Sequence, residues 1–199
     1  MKNVNIPFSE QLIFSNECSL KIENYKWVNN NYKPVVDVFL CHNNKTLKVK
    51  FIAFENEISF KEKNDNGRIW CDSCVEFFIK PFEDDLRYIN FEINPIGSMI
   101  MSIGENGENR NPLVFQYKNE LNLKTQIEKN YWFSEFEIPF SMLKEIYNKS
   151  TSTQIKKLQG NFYKCGDETK EPHYGMWKNI DEKEPNFHLS KYFGELILE

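Results

Sequence analysis

The sequence predicts an all-β fold, an antiparallel β-sandwich of jelly-roll type with one short helix. Three observations support this prediction. Apolar and polar residues alternate in several short segments, polar turns separate these segments, and one segment has helical spacing. The chain has 199 residues, which fits a single β-sandwich, and it contains no linker-like stretch rich in Pro, Gly or Ser. We therefore expect one domain over residues 1–199.

The central strands show the clearest alternation. Residues 48–54 alternate first and are followed by a charged stretch with the turn signal NDNG. Residues 74–80 and 88–94 alternate next, with a turn at 81–85 between them. Successive side chains of a strand point to opposite faces, so this pair should have one apolar face. That face comprises Val75, Phe77, Ile79, Ile89, Phe91 and Ile93. The other face comprises Cys74, Glu76, Phe78, Tyr88, Asn90, Glu92 and Asn94.

The second half of the chain supplies the remaining elements. Residues 131–138 alternate, and Pro139 should end that strand because proline cannot donate to a sheet. Residues 140–149 are the helix candidate, with Ser141 as its predicted N-cap. Its apolar stripe comprises Met142, Leu143 and Ile146. Further strands are predicted at 161–165 and 193–198.

Composition excludes several classes of protein. The chain has 25 Lys+Arg and 29 Asp+Glu, so the net charge is 25 − 29 = −4, and no basic stripe suggests a nucleic-acid partner. No uncharged run approaches the ~20 apolar residues that span a membrane. Residues 1–7 lack the apolar run of a signal peptide, so we expect a cytoplasmic protein, or a secreted one if a signal has been removed. The cysteines number five, which does not indicate a disulfide framework, and reduced, mostly buried thiols are expected.

The polar face of the predicted strand pair suggests a binding function. Glu76, Asn90 and Glu92 present carboxylates and an amide with few rotamers, and Trp70 lies just before the first strand. Sugars match such a surface, because their hydroxyls need donors and acceptors and their C–H faces stack on aromatic rings. Trp177 could supply a second aromatic wall. The alternative is that both tryptophans are half-buried edge residues and that the polar face is simply solvated.

Two catalytic or metal-binding interpretations are also open. Directly opposed residues of a sheet lie ~5 Å apart, and retaining glycosidases place their two carboxyl groups at about that spacing. Glu76 and Glu92 could therefore be the carboxylate pair of a small glycoside hydrolase, although hydrogen bonding to sugar is the simpler interpretation. Cys71 and Cys74 form a Cys-x-x-Cys motif that could be a redox pair or half a zinc site. A redox motif should begin a helix and zinc needs a second pair, so a structural role is favoured and no metal ligand set or cofactor is predicted.

Five ordered blocks of sequence resemble domains of the carbohydrate-binding module family 9 type. These blocks are WCDSCVEFFI at 70–79, YINFEINPIG at 88–97, NFYKCGDE at 161–168, PHYGMW at 172–177 and PNFH at 185–188. The resemblance covers residues 51–199, and five blocks in order are more specific than any one alone.

The resemblance implies a non-catalytic β-sandwich that binds the end of an oligosaccharide or polysaccharide chain, or a mono- or disaccharide, between two tryptophans. By position, Trp70 and Trp177 match the two stacking walls. The implied polar and rim contacts are Glu76, Asn90, Glu92, Lys164, His173 and Tyr174. Modules of this type can carry structural calcium, but this chain has no acidic loop with dense Asp spacing. A third possibility is an interaction domain, which should present a flat apolar face to a protein partner instead of a concave polar one.

Overall fold

The protein folds as a β-sandwich of two sheets, as seen in a computed structural model that describes residues 3–15 and 19–199. Residues 1–2 and 16–18 lie outside the described residues. The prediction of a reduced thiol at Cys18 falls on this undescribed part of the chain. The strands are β1 (Val4–Ile6), β2 (Ser19–Ile22), β3 (Asn24–Tyr25), β4 (Val35–His42), β5 (Thr46–Phe54), β6 (Cys74–Lys80), β7 (Tyr88–Ile93), β8 (Met99–Gly104), β9 (Asn111–Pro112), β10 (Lys124–Ile127), β11 (Tyr131–Pro139), β12 (Lys157–Cys165), β13 (Tyr174–Met176) and β14 (Gly194–Leu198). The helices are α1 (Val114–Tyr117) and α2 (Phe140–Ile146).

The larger sheet has nine strands, seven of them in the order β1-β14-β12-β6-β7-β8-β9, with β13 pairing to β12 and β3 pairing to β13. The smaller sheet has five strands in the order β10-β11-β5-β4-β2. The described strand pairs are antiparallel except for β1 and β14, which run parallel at the edge of the larger sheet. The predicted all-β antiparallel sandwich is therefore confirmed, with one parallel pair added.

Aromatic residues from both sheets fill the space between them. The Phe77 and Phe162 rings stack with centroids 4.5 Å apart, and Phe51 of the smaller sheet meets Phe162 edge-on at 6.0 Å. Phe91 and Phe136 face each other across the same space at 5.6 Å. The residues predicted for the apolar face of β6 and β7 are all buried here, as the alternation of the sequence required.

The outer face of β6 and β7 is also covered. Side chains from the segment between β13 and β14 pack on it, and Phe193, for example, meets Tyr88 of β7 edge-on with centroids 5.3 Å apart. This segment covers only part of the face, so a hollow is left beside it. The interpretation of the polar face as a plainly solvated surface is therefore wrong.

The predicted helix is shorter than its pattern suggested. It begins at Phe140, directly after β11, and ends at Ile146 instead of Lys149. Because it begins one residue before Ser141, the N-cap is Pro139 and no side chain caps the helix. None of the described helices is both long and apolar enough to cross a membrane.

Candidate functional site

The hollow on the outer face of the larger sheet is a cavity of about 380 Å³. Strands β6, β7 and β8 and the loop that follows β8 supply its floor, while residues between elements supply most of its walls. The floor includes Glu76, Asn90, Glu92, Ser102 and Arg110, and the walls include Trp27, Trp70, Tyr174 and Phe187.

The register of the strands assembles the floor. Glu76 of β6 lies directly opposite Glu92 of β7, and Asn90 lies opposite Ser102 of β8. Asn90 and Glu92 are two residues apart on one strand, so both point into the cavity. The sequence prediction that the two glutamates are opposed on neighbouring strands is confirmed.

Arg110 is hydrogen-bonded to the floor residue Asn90, and the sequence did not predict it as a site residue. Its Nε and Nη2 atoms donate to Asn90 Oδ1 at 2.9 and 2.7 Å, and Asn90 Nδ2 donates to Glu92 Oε1 at 2.8 Å. The guanidinium also lies 4.4 Å from the centre of the Tyr88 ring. Arg110 sits in the loop GENGENRN, which has no periodicity, so only its position as a lone arginine among small and acidic residues could have drawn attention to it.

Aromatic rings form the walls. Trp70 lies in a 3-10 turn, Ile69–Cys71, just before β6, and its side chain is 37% exposed. Trp27 packs against Tyr174 at 6.0 Å and against Phe187 at 5.7 Å between ring centroids. The predicted Trp70 and Tyr174 thus line the cavity, whereas Trp27 and Phe187 were missed because they lie in segments without a strand pattern.

Trp177 does not line the cavity, which corrects the prediction of a second wall at this position. It is 7% exposed and packs inside the sandwich, edge-on to Phe162 at 5.8 Å. The reason is strand alternation: Met176, the preceding residue, packs in the cluster on the outer face, so Trp177 points to the inner one.

Lys164 and His173 are also buried away from the cavity lining. Lys164 precedes Cys165, which faces the cavity, so its side chain points inward, where it forms an ion pair with Glu55 at 3.2 Å. His173 is fully buried, and its ring meets Tyr32 at 5.2 Å. The expected basic and rim contacts at these two positions are therefore wrong, and the cation of the floor is Arg110.

Burial changes the protonation of the floor. It raises the pKa of Glu92 to about 7, although the Asn90 hydrogen bond and the Arg110 charge oppose the shift. Burial also raises the pKa of Glu76 well above its usual value, and the neighbouring Cys165 and Glu92 add to that effect. A carboxyl that keeps its proton near neutral pH can donate as well as accept a hydrogen bond. The floor can therefore both donate a hydrogen bond to a sugar hydroxyl and accept one from it.

The raised pKa of Glu92 should make the stability depend on pH. The folded-state pKa of Glu92 is near 7, above the ordinary 4.5, so between these pH values the native state holds a proton that the unfolded state has lost. This contribution is complete below pH 4.5 and is lost as the pH rises toward 7. We expect Glu92→Gln to make this decline in the free energy of unfolding smaller, measured by urea denaturation from pH 4.5 to 8, while the part that comes from the raised pKa of Glu76 remains. Glu120→Gln, at an exposed position, should keep the full decline. An identical decline in Glu92→Gln would contradict the assignment.

Comparison with known proteins identifies the family. Residues 8–198 match the sequence profile of carbohydrate-binding family 9. The chain belongs to carbohydrate-binding family 9. This family is non-catalytic, so the family 9 domain is not an enzyme, and the hydrolase interpretation of Glu76 and Glu92 is set aside.

Solved structures share the fold of this family 9 domain. A crystal structure of a Bacteroides uniformis protein to which carbohydrate binding is ascribed superimposes with a TM-score of 0.83 and 26% identity, covering 100% of this chain and 99% of the other. A family 9 module from Caldicellulosiruptor kristjanssonii in complex with cellotriose gives a TM-score of 0.67 at 10% identity, covering 100% and 94%. Its complex with glucose gives 0.65 at 11%, covering 100% and 96%. Among sequences, an Arthroderma benhamiae protein described as extracellular is 25% identical over an alignment of 184 residues, gaps included, and the match covers 82% of this chain and 78% of that protein.

Calcium does not fit the buried carboxylate of Asp72 in this family 9 domain. Asp72 is 2% exposed, and its two oxygens accept hydrogen bonds from Ser59 Oγ, the backbone N–H groups of Lys61 and Glu62, and Asn94 Nδ2. Calcium needs six to eight oxygen ligands, typically ~2.3–2.6 Å away. Protein donors already occupy this carboxylate, so we assign no calcium to it.

The cysteines of this family 9 domain are reduced and mostly buried where they are described. None of the described cysteines forms a disulfide, and Cys74 and Cys165 are buried while Cys71 is half-buried. Cys74, Cys165 and Glu76 form the group of close metal-ligating side chains found among residues 3–15 and 19–199. Its two thiols do not suit calcium, which prefers oxygen.

Proposed function

We propose that the cavity binds a mono- or disaccharide, or the end of a glycan chain, without chemical turnover. Trp70 stacks on a sugar ring, and Trp27 takes the place that the sequence analysis gave to Trp177. Glu76, Asn90 and Glu92 form hydrogen bonds with sugar hydroxyls. The observation that carries this proposal is a floor of two carboxyls, an amide and a guanidinium between aromatic walls in one cavity.

The chemistry of the floor supports a sugar ligand over a protein partner. A protein-docking face should be flat and apolar, whereas this cavity is concave and its floor is a hydrogen-bonded polar network. Arg110 holds the Asn90 amide in one orientation by donating twice to its Oδ1 atom. The N–H of Asn90 Nδ2 that does not bond to Glu92 is therefore held in a fixed direction. Pre-set polar groups lower the entropy cost of binding a ligand.

The size of the cavity favours a short ligand. Its volume of about 380 Å³ is near the lower end of the ~300–1,000 Å³ usual for small-molecule sites. A disaccharide has about 23 heavy atoms, and at ~0.3 kcal/mol per atom it gains roughly 7 kcal/mol, which corresponds to a micromolar site. In this proposal Tyr174, which lines the cavity, contacts the sugar at the rim.

Replacing Trp70 tests the proposal. We expect Trp70→Ala to weaken binding of cellotriose or glucose about tenfold or more, because a stacking surface is lost. The expected change in stability is small, since 37% of the side chain is already exposed. These probes are the ligands of the two Caldicellulosiruptor kristjanssonii complexes, and isothermal titration calorimetry gives the affinities.

Tyr131→Ala is the matched control for this titration. Tyr131 is also 37% exposed, but it lies on β11 in the smaller sheet, away from the cavity. We expect its removal to leave the affinity unchanged. Equal affinities of Trp70→Ala and the unmodified protein would remove Trp70 from the site. If neither glucose, cellotriose nor a wider set of glycans bound the unmodified protein, the proposal itself would be wrong.

A further inference from the structure

Two thiols and a carboxyl lie together at the floor of the cavity. Cys74 of β6 and Cys165 of β12 are directly paired in the antiparallel register, and Glu76 follows Cys74 by two residues on the same face. One ligand atom from each side chain lies within 4.8 Å of the others. The three residues are 0%, 1% and 3% exposed for Cys74, Cys165 and Glu76. The sugar proposal uses the carboxyl of Glu76 and neither thiol.

We propose that Cys74, Cys165 and Glu76 form a binding site for a thiophilic divalent cation such as Zn²⁺. Two sulfurs and one carboxylate oxygen are ligand types that Zn²⁺ accepts, and three protein ligands with a fourth open position are a known arrangement for this ion. This inference goes beyond sugar binding and does not depend on it.

The geometry of the cluster is close to what a tetrahedral ion needs. At Zn–S and Zn–O distances of about 2.3 and 2.1 Å, ligand atoms lie about 3.6–3.8 Å from one another. Cys165 Sγ lies 2.9 Å from Glu76 Oε1, to which it donates, and all the ligand atoms lie within 4.8 Å of one another. Side-chain rotations that move the ligand atoms by about an ångström would therefore bring them to tetrahedral distances, with no change of strand register.

The cavity provides the entry path and the fourth position. Cys165 and Glu76 line it, while Cys74 lies beneath them at zero exposure. The fourth position then faces the cavity, where water completes the coordination. The first cysteine of the Cys-x-x-Cys motif is not part of the group, because Cys71 lies in the turn before β6. Strand pairing, not the local motif, brings the second thiol into place.

Binding of the ion exchanges protons for metal bonds. Two metal–sulfur bonds and one metal–oxygen bond form, and the two thiol protons pass to solvent, together with the Glu76 proton where that carboxyl is protonated. No electron is transferred, so no oxidant or reductant is needed. With the ion bound, the Glu76 carboxylate acts as a ligand instead of accepting a sugar hydroxyl.

Cadmium titration of the reduced protein tests this site. Cd²⁺ is the probe because cadmium–thiolate bonds absorb in the ultraviolet, and competition by Zn²⁺ then reports zinc binding. We expect the absorption to saturate at one ion per chain. Cys165→Ser should weaken binding at least tenfold, and Cys71→Ser, at the half-buried position outside the cluster, should leave it unchanged.

Glu76→Gln is the second variant, because it leaves both thiols in place. It should keep the thiolate absorption and weaken the affinity at least tenfold, and a thermal melt of each variant checks that it is folded. No saturable absorption, an unchanged affinity in Cys165→Ser or Glu76→Gln, or a loss in Cys71→Ser would each overturn the proposal. Because no sugar is present in this measurement, its failure is distinct from a failure of sugar binding.

Discussion

Replacing Lys164 with methionine is expected to lower the free energy of unfolding by about 3–5 kcal/mol, the usual cost of removing one partner of a buried ion pair. The Lys164 and Glu55 side chains are 0% and 1% exposed, and their charged atoms lie 3.2 Å apart. Trp132 Nε1 and Ser73 Oγ also donate to the Glu55 carboxylate, at 2.6 and 2.8 Å. Without the lysine, this carboxylate keeps its neutral donors but loses the charge that balances it.

Urea denaturation of two further variants separates this effect from a general loss of a lysine. Lys191 pairs with Glu182 at 2.7 Å, but their side chains are 63% and 40% exposed, so water screens the pair and Lys191→Met should change the free energy of unfolding very little. The double variant Lys164→Met with Glu55→Gln should recover part of the lost stability, because it removes the unbalanced charge. If Lys164→Met cost no more than Lys191→Met, the buried ion pair would not stabilise the fold.

Replacing Trp177 with alanine is expected to cost about 3–5 kcal/mol of stability, as is usual for a large aromatic residue in a core. The indole packs on Phe162, and Gly194 approaches it so closely that a Cβ there would lie 2.5 Å from a ring atom. Alanine would therefore leave a cavity between tightly packed neighbours. The folded fraction should bind sugar with unchanged affinity, because this side chain does not line the site.

Trp70→Ala is the natural comparison for Trp177→Ala. Its expected pattern is the reverse: a small change in the melting temperature and a large loss of affinity. Denaturation and calorimetry on both variants give the two quantities independently. A Trp177→Ala protein of normal stability that has lost its affinity for sugar would restore the original prediction of two facing indoles.

The sequence predicted the floor well because two strands alternate without interruption. The pattern of residues 74–80 and 88–94 placed Glu76, Asn90 and Glu92 on one face, and the register confirmed that the glutamates are opposed. Alternation around a buried pair of strands specifies which residues share a face, since a slip of one residue would reverse every side chain.

The walls were predicted poorly because alternation does not say which face of a strand is the outer one. In β12, the sequence separates Lys164 from Cys165 but gives no sign of which faces the cavity. Trp177 follows β13, a strand of three residues that is too short to show a pattern. Arg110, Trp27 and Phe187 come from non-periodic segments, whose paths depend on tertiary packing.

The indole N–H signals of the four tryptophans offer the most direct test of the central claim, that this cavity is the sugar site. Nuclear magnetic resonance of the ¹⁵N-labelled protein resolves these signals, and cellotriose or glucose is added stepwise. We predict that the signals of Trp70 and Trp27 shift with saturation, while those of the interior Trp132 and Trp177 remain in place. A shift of Trp177 with Trp70 and Trp27 unmoved would contradict the account.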